Sequence, residues 1–120
     1  MKFYKCRSCD SIMILDAEGA CCLDDCQELV PNTTDASGEK HVPMIEAEGT
    51  TVSVKVGSVE HPMLAAHFIT FIVLETNRGY QKKELRPGEK PAAQFALTEG
   101  ETPVAAYEYC NLHGLWMARA

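Results

Sequence analysis

The chain has 120 residues, of which 46% are hydrophobic and 23% charged. This apolar content supports one compact core with a small appendage, but not two full-sized domains. A net charge of −6 means that the overall field repels nucleic acid and acidic membrane surfaces. The apolar runs fall short of the roughly 18 residues that a membrane span needs, and the start of the chain lacks the apolar segment of a signal peptide. We therefore expect a soluble, cytoplasmic protein without nucleic-acid or membrane partners.

Five of the six cysteines lie within the first 26 residues. In a reducing cytosol, clustered thiols serve more often as metal ligands than as disulfides. Cys6 and Cys9 form a C-x-x-C pair, and the adjacent Cys21 and Cys22 could complete a tetrahedral sulfur site for iron or zinc. Neighbouring side chains in a strand point to opposite faces, so Cys21 and Cys22 would need a bend. Cys26 is a competing fourth ligand, and spacing alone does not separate a structural zinc from a redox iron.

Turn-forming residues fill the next segment of the chain. Residues 31–38, with the sequence PNTTDASG, contain few apolar side chains and predict a linker. We therefore expect a cysteine-rich module at residues 1–30 and a second domain at residues 39–120.

Strand patterns dominate the second domain. Alternating polar and apolar residues at 51–56 predict a half-buried strand, and the β-branched and aromatic run at 68–74 predicts a buried one. Further strands are predicted at 80–85, 92–97 and 104–109. The turn signals between them recur about every 8 to 12 residues, which is typical of a β-sandwich or barrel. The sequence contains no convincing amphipathic helix of three turns.

All four histidines of the chain lie beside turn signals. His61 directly precedes Pro62, which favours an extended conformation. Cys110 and His113 are three residues apart and can reach one metal, and Gly114 permits a sharp exit. With His41 and His67, these side chains supply four imidazoles and one thiolate. Five such ligands leave one position of an octahedral metal open, a composition that suits redox iron and one-electron donation.

Three segments carry a family resemblance: EKHVP at 39–43, VGSVEHPM at 56–63 and EYCNLHGLW at 108–116. In this order they resemble the superoxide reductases, and the amino-terminal cysteines extend the resemblance to the two-centre desulfoferrodoxins. The resemblance implies an equatorial set of imidazoles around a mononuclear iron, with a cysteine as axial ligand. These residues are His41, His61, His67, His113 and Cys110.

The same resemblance implies the reaction and two further site residues. Superoxide is reduced by one electron, with two protons, to hydrogen peroxide, and the iron is then reduced by a donor such as rubredoxin. Glu39 can bind the ferric ion after turnover, while Lys40 attracts superoxide and helps to protonate the peroxide. A local cation is physically sensible, because a protein of net charge −6 otherwise repels an anionic substrate.

The resemblance further implies an all-β fold, an immunoglobulin-like sandwich of seven strands with iron on loops at one end, and a small desulforedoxin-like module. That module would hold a second iron or a zinc on Cys6, Cys9, Cys21 and Cys22 and take part in a homodimer contact. The interval between its two cysteine pairs is a few residues shorter than in the family. Cys26 stands where relatives commonly have methionine, which makes it an extra thiol.

Two other functions fit parts of the pattern. An iron electron carrier or redox sensor would use the cysteine module as its working centre, with the sandwich only stabilising it. A superoxide dismutase would use the same iron to oxidise a second superoxide. An open iron position beside a lysine argues against a carrier, and a thiolate ligand argues against a dismutase.

Overall fold

The structure, a computed structural model, describes residues 1–15 and 25–120. Two compact units divide the chain, Met1–Val30 and Pro31–Ala120. Cys21 and Cys22, which the sequence assigns to a metal site, lie outside the described residues. Within the described part of the chain, no helix has the length and apolar character needed to cross a membrane.

The first unit contains a small antiparallel sheet. Its strands are β1 (Lys2–Cys6), β2 (Ile12–Leu15) and β3 (Cys26–Leu29), arranged in the order β2-β1-β3. Phe3, in the central strand, is only 1% exposed and is the largest buried side chain among the described residues of this unit. The sheet places Cys6 and Cys26 at the ends of neighbouring strands.

The second unit contains one helical turn, α1 (Gly38–His41), and seven strands. The strands are β4 (Pro43–Glu48), β5 (Thr51–Val56), β6 (Ile69–Thr76), β7 (Gly79–Glu84), β8 (Ala92–Ala96), β9 (Pro103–Cys110) and β10 (Gly114–Arg119). They form a four-stranded sheet in the order β10-β9-β6-β7 and a three-stranded sheet in the order β4-β5-β8. This confirms the expected all-β, seven-stranded sandwich.

The core lies between these two sheets. In β5 the valines at positions 52, 54 and 56 are each no more than 1% exposed, because alternate residues of a strand share one face. They belong to one buried cluster with Ile72 and Leu74 of β6 and Phe95 of β8. The cluster also includes Cys110, so one predicted ligand is built on the core itself.

The segment predicted to be a linker, residues 31–38, falls in the second unit. Asn32 is hydrogen-bonded to β10 at three points: its backbone N–H donates to the Leu115 carbonyl at 3.0 Å, its Nδ2 donates to the Met117 carbonyl at 3.1 Å, and its Oδ1 accepts from the Met117 N–H at 2.9 Å. These bonds hold the start of the segment against the sandwich.

Strand register brings several strand ends to one end of the sandwich. Pro43 at the start of β4 pairs with Val56 at the end of β5. Cys110 at the end of β9 pairs with Ile69 at the start of β6 and with Gly114 at the start of β10. The connections that leave these strand ends therefore meet, and all four histidines lie on them.

Candidate metal centre

Three connections and one strand end supply the predicted ligands. His41 is the last residue of α1, while His61 and His67 lie between β5 and β6. Cys110 ends β9, and His113 lies in the turn that leads to β10. The structure brings these five side chains together: one nitrogen of each histidine and the Cys110 sulfur all lie within 4.8 Å of one another.

The four imidazole rings form a closed ring of neighbours. Their centroids are 4.7 Å apart for His41–His61 and for His61–His67, and 5.0 Å apart for His67–His113 and for His113–His41. Neighbouring planes meet at 73–90°. Four rings of nearly equal spacing, each edge-on to the next, form a square arrangement that can surround a single ion.

Backbone carbonyls fix the tautomers of two of these rings. Nδ1 of His41 lies 2.7 Å from the Ser37 carbonyl, and Nδ1 of His61 lies 2.7 Å from the Pro62 carbonyl. A carbonyl oxygen only accepts, so both Nδ1 atoms carry the proton and both Nε2 atoms of the neutral rings carry a lone pair. These two Nε2 atoms are 3.2 Å apart. Two facing lone pairs repel each other unless a cation lies between them.

The remaining donors complete the same pattern. His113 presents Nδ1, which lies 3.2 Å from Nε2 of His41 and 3.9 Å from the sulfur of Cys110. Nε2 of His67 is buried and has no hydrogen-bond partner among the described residues. Four nitrogens and one sulfur exceed the four ligands of a closed structural zinc site. The donor set therefore fits a mononuclear iron with one position left for exchange.

Burial keeps the imidazoles ready to bind a metal. It is the main cause that lowers the pKa of His41, of His67 and of His61, the last to about 4. These rings are therefore neutral at neutral pH and offer lone pairs. Burial raises the pKa of the Cys110 thiol, so the thiolate that a metal needs depends on the charge of the metal itself.

Comparison with known proteins agrees with this geometry. A family model described as desulfoferrodoxin matches residues 33–119. The chain belongs to the desulfoferrodoxin family. A desulfoferrodoxin of Syntrophotalea carbinolica is 46% identical to it over 120 residues, which cover 97% of this chain and 94% of that protein. The superoxide reductase of Pyrococcus furiosus is 36% identical and covers 68% of this chain and 87% of its own.

A solved structure is similar over nearly the full length of the sequence. The superoxide reductase from Treponema pallidum aligns with a TM-score of 0.83 and 37% identity, covering 99% of this chain and 100% of its own. The superoxide reductase fold is thus shared by the present member of the family, and the histidine and cysteine cluster lies on it.

Two charged residues precede His41 in α1, as the resemblance implied. Glu39 and Lys40 are both exposed. Lys40 lines a surface cleft that it shares with His61, Glu60 and Lys90. Its charge also contributes to the lowered pKa of His67, after burial and the charge of His113. Lys40 therefore lies within electrostatic range of the imidazole cluster, at the side where the cluster meets solvent.

The position of α1 depends on close backbone packing at Gly57. The carbonyl of Glu39 accepts a hydrogen bond from the Val59 N–H at 2.9 Å and one from the Ser58 hydroxyl at 3.3 Å. Gly57 has φ +82°, and a Cβ atom there would lie 2.7 Å from the Glu39 carbonyl oxygen and 2.8 Å from the Lys40 carbonyl carbon. Only glycine combines this φ with this approach.

Asn111 joins two of the site connections, a role that sequence reasoning missed. Its Oδ1 accepts from the Phe68 N–H at 2.9 Å, and its Nδ2 donates to the Ala66 carbonyl at 3.1 Å. The amide therefore holds the segment that carries His67 against the turn between Cys110 and His113. Its position between Cys110 and His113 was the available signal in the sequence, but an asparagine in a turn is explained equally well as a turn-forming residue.

The Trp116 ring covers one side of the cluster. Its ring stacks on that of His41, with centroids 4.9 Å apart and an interplanar angle of 24°. Its indole N–H donates to the His113 carbonyl at 3.0 Å. One buried side chain thus fixes two ligands and excludes water from the face of His41.

Glu108 is the least expected residue near the centre. It lies two residues before Cys110 in β9, is 0% exposed, and has no hydrogen-bond partner for either carboxyl oxygen among the described residues. Burial raises its pKa well above the usual range and so favours the protonated form. Sequence reasoning missed its burial, because a glutamate in a strand is ordinarily placed on the solvent face.

Of the amino-terminal cysteines that the structure describes, Cys6 ends β1, Cys9 lies in the turn that leads to β2, and Cys26 begins β3. The Asp10 N–H donates to the Cys6 carbonyl at 3.1 Å, and the Cys6 N–H donates to the Ser11 carbonyl at 2.8 Å. Hydrogen bonding by Cys9 and then by Ser8 lowers the pKa of the Cys6 thiol to about 7. Partial burial raises the pKa of the Cys26 thiol, and the charge of Cys6 adds to this effect. Cys6 and Cys9 are thus presented together in a tight turn.

Proposed function

We propose that this chain is a superoxide reductase, which adds one electron and two protons to superoxide and releases hydrogen peroxide. The observation that carries the proposal is the convergence of four imidazoles and one thiol beside Lys40, at an end of a sandwich shared with superoxide reductases. A carrier of electrons does not need an exchangeable position or a cation next to it.

Iron bound by the cluster supplies the electron. His41, His61, His67, His113 and Cys110 are the ligands in this proposal. The Ser37 and Pro62 carbonyls keep Nε2 of His41 and of His61 aimed inwards, so these rings need no reorientation during turnover. The thiolate of Cys110 would donate electron density to the bound iron.

Lys40 has two roles in this scheme. Its ammonium attracts superoxide toward the cluster against the net charge of −6. In this proposal the same Nζ–H group also passes a proton to the reduced oxygen species, directly or through water. The support is its position in the cleft that His61 also lines.

Glu39 is assigned to the resting oxidised state. We propose that its carboxylate would be a further ligand for the ferric ion when iron is bound. The support is its place beside Lys40 in α1, where both side chains are exposed. The backbone carbonyl of Glu39 is held by hydrogen bonds from Val59 and Ser58. A carboxylate is a suitable hard ligand for a ferric ion.

The amino-terminal module is proposed to hold a second metal, iron or zinc, on Cys6, Cys9, Cys21 and Cys22. We assign residues 1–30 to this module, 31–38 to a linker and 39–120 to the iron-binding sandwich. A rubredoxin-type protein in the cytoplasm would return the electron, and the working form would be a homodimer. The division of the chain after Val30 supports the boundary of the module, although it groups residues 31–38 with the sandwich. Membership in the desulfoferrodoxin family supports the second metal.

Oxidation of a reduced rubredoxin by the iron-loaded protein during a measured flux of superoxide tests the proposal. A reductase consumes one donor electron for each superoxide removed. Rapid removal of superoxide without oxidation of the donor would instead indicate a dismutase. Donor oxidation without faster superoxide removal would indicate an electron carrier.

A further inference from the structure

Cys26 lies directly opposite Cys6 in the sheet of the amino-terminal unit. The two residues are Cα partners in the antiparallel pairing of β1 with β3. Directly opposed residues of neighbouring strands project to the same face, so both thiols lie on one side of the sheet. Both side chains are partly exposed, and both thiols are free.

Hydrogen bonding identifies the kind of pair. The Cys6 N–H points away from β3, since it donates to the Ser11 carbonyl on the other side of β1 at 2.8 Å. The next residue, Arg7, donates its N–H toward β3, to the Asp25 carbonyl at 2.8 Å. Cys6 and Cys26 are therefore a non-hydrogen-bonded pair, the type in which opposing side chains come closest.

This geometry matches that of a disulfide. Cα atoms of such a pair are typically about 4.5 Å apart, and bridged cysteines have Cα separations of roughly 4.4–6.8 Å. A bond between Cys6 and Cys26 needs side-chain rotation and little backbone movement. Cys9 is the competing partner of Cys6, since its side chain hydrogen-bonds to the Cys6 thiol in the turn after β1.

We propose that Cys26 is a redox-active thiol that forms a disulfide with Cys6 when hydrogen peroxide accumulates. Peroxide oxidises one thiol to a sulfenic acid and releases water. The second thiol then attacks that sulfur, forms the S–S bond and releases a second water. Two thiols and one peroxide thus give one disulfide and two waters, and reduction by a dithiol reverses the bond.

The source of the oxidant connects this site to the rest of the molecule. The idea that the protein itself generates the peroxide rests on the proposed function, whereas the pairing of the two thiols rests on the β1–β3 register alone. Because Cys6 is also assigned to the amino-terminal metal, the disulfide would remove one sulfur from that set. The module would then respond to the product of the reaction.

Peptide mapping after treatment with added hydrogen peroxide tests the pairing without any need for superoxide. The full-length protein is oxidised, its remaining thiols are alkylated, and it is cleaved after Arg7 and before Asp10 and Asp25. These cuts place Cys6, Cys9 and Cys26 on separate peptides. We expect a linked peptide that contains Cys6 and Cys26, and its loss on treatment with a dithiol.

Three variants make this result decisive. Cys26→Ser and Cys26→Met are expected to abolish the linked peptide, while Gln27→Ser, an exposed change in the same strand, leaves it intact. A link of Cys6 to Cys9 with Cys26 alkylated would overturn the proposal, as would the absence of any link to Cys26. None of these readouts depends on superoxide reduction, so failure of the pairing is distinct from failure of the proposed activity.

Discussion

At the scale of single residues, the hydrogen bonds of the outward-facing ring nitrogens of His41 and His61 define the centre. Ser37 and Pro62 accept the Nδ1 protons of His41 and His61, which leaves both Nε2 atoms as acceptors 3.2 Å apart. Neutral rings and facing lone pairs are a costly arrangement in a buried site unless a cation satisfies them. The polar geometry of the cluster therefore points to a metal more directly than its composition does.

Lys40→Ala tests the role of the lysine beside the cluster. We expect full iron content but a rate of reaction with superoxide lowered by about tenfold, because the local cation no longer attracts the anion. Fast mixing with superoxide at several ionic strengths measures this rate, which should also lose most of its dependence on salt.

Lys83→Ala is the matched control for charge, since it makes the same change in net charge on the exposed strand β7. Its rate should remain close to that of the unsubstituted protein. A rate in Lys40→Ala equal to that of this control would remove Lys40 from the mechanism.

At the scale of elements, the site depends on how α1 packs against the residues after β5. Gly57→Ala would push a methyl group into the backbone of Glu39 and Lys40. We expect a loss of stability beyond the roughly 1–2 kcal/mol that a positive φ costs alone, together with reduced iron per chain. Denaturant unfolding and iron analysis measure the two effects.

Gly49→Ala separates the two causes. Gly49 also has a positive φ, +60°, but a Cβ atom there meets nothing within 4 Å. This variant should lose only the stability that the positive φ costs, and it should retain its iron. Equal iron loss in both variants would contradict the packing argument.

Strands with strong patterns were predictable from sequence, and strands with weak patterns were not. The valine alternation of β5 and the apolar run of β6 give clear signals because each buries at least one face. β4 and β10 were not predicted, and β10 begins at a glycine directly after the turn that carries His113. Exposure alone does not explain the miss of β4, because β7 is exposed at all six positions and was predicted at 80–85.

The site could be predicted further than the fold could. The five residues that cluster in the structure were predicted together, because histidine and cysteine carry a specific chemistry and their motifs are ordered. The supporting groups were not, since backbone carbonyls have no sequence signature and Asn111 resembles any turn asparagine. Burial of Glu108 depends on tertiary packing, which composition does not reveal.

At the scale of the whole molecule, burial of neutral histidines makes stability depend on pH. The pKa values of His41, His61 and His67 are lowered from 6.5, that of His61 to about 4. The unfolded chain therefore binds more protons than the folded chain below pH 6.5, so stability falls as pH falls from 6.5 toward 4. Urea unfolding of the metal-free protein between neutral pH and pH 5 measures this slope.

Glu108 contributes a slope of opposite sign. Its raised pKa means that the folded protein binds the extra proton above pH 4.5, so its contribution destabilises the fold as pH rises. In Glu108→Gln that contribution is gone, and the loss of stability on acidification should be steeper than in the unsubstituted protein. If the metal-free Glu108→Gln variant kept or gained stability on acidification, the assignment of neutral buried histidines would be wrong.

A variant in the first unit tests whether the two units act independently. Cys9→Ser removes an assigned ligand of the amino-terminal metal, and Cys9 lies in a different unit from the histidine cluster. We expect loss of that metal, with the iron on the cluster and the reduction of superoxide retained. Metal analysis with superoxide kinetics measures both, and a parallel loss of activity would show that the first unit is required for the reaction.

The most direct test of the central claim is the yield of hydrogen peroxide per superoxide consumed by the iron-loaded protein with excess reductant. A reductase produces one peroxide for each superoxide, since every electron comes from the donor and no dioxygen is returned. Dismutation, whether spontaneous or catalysed, produces one peroxide for every two. A yield of one, reached at a rate above that of spontaneous dismutation, is the predicted result, and a yield of one half would contradict it.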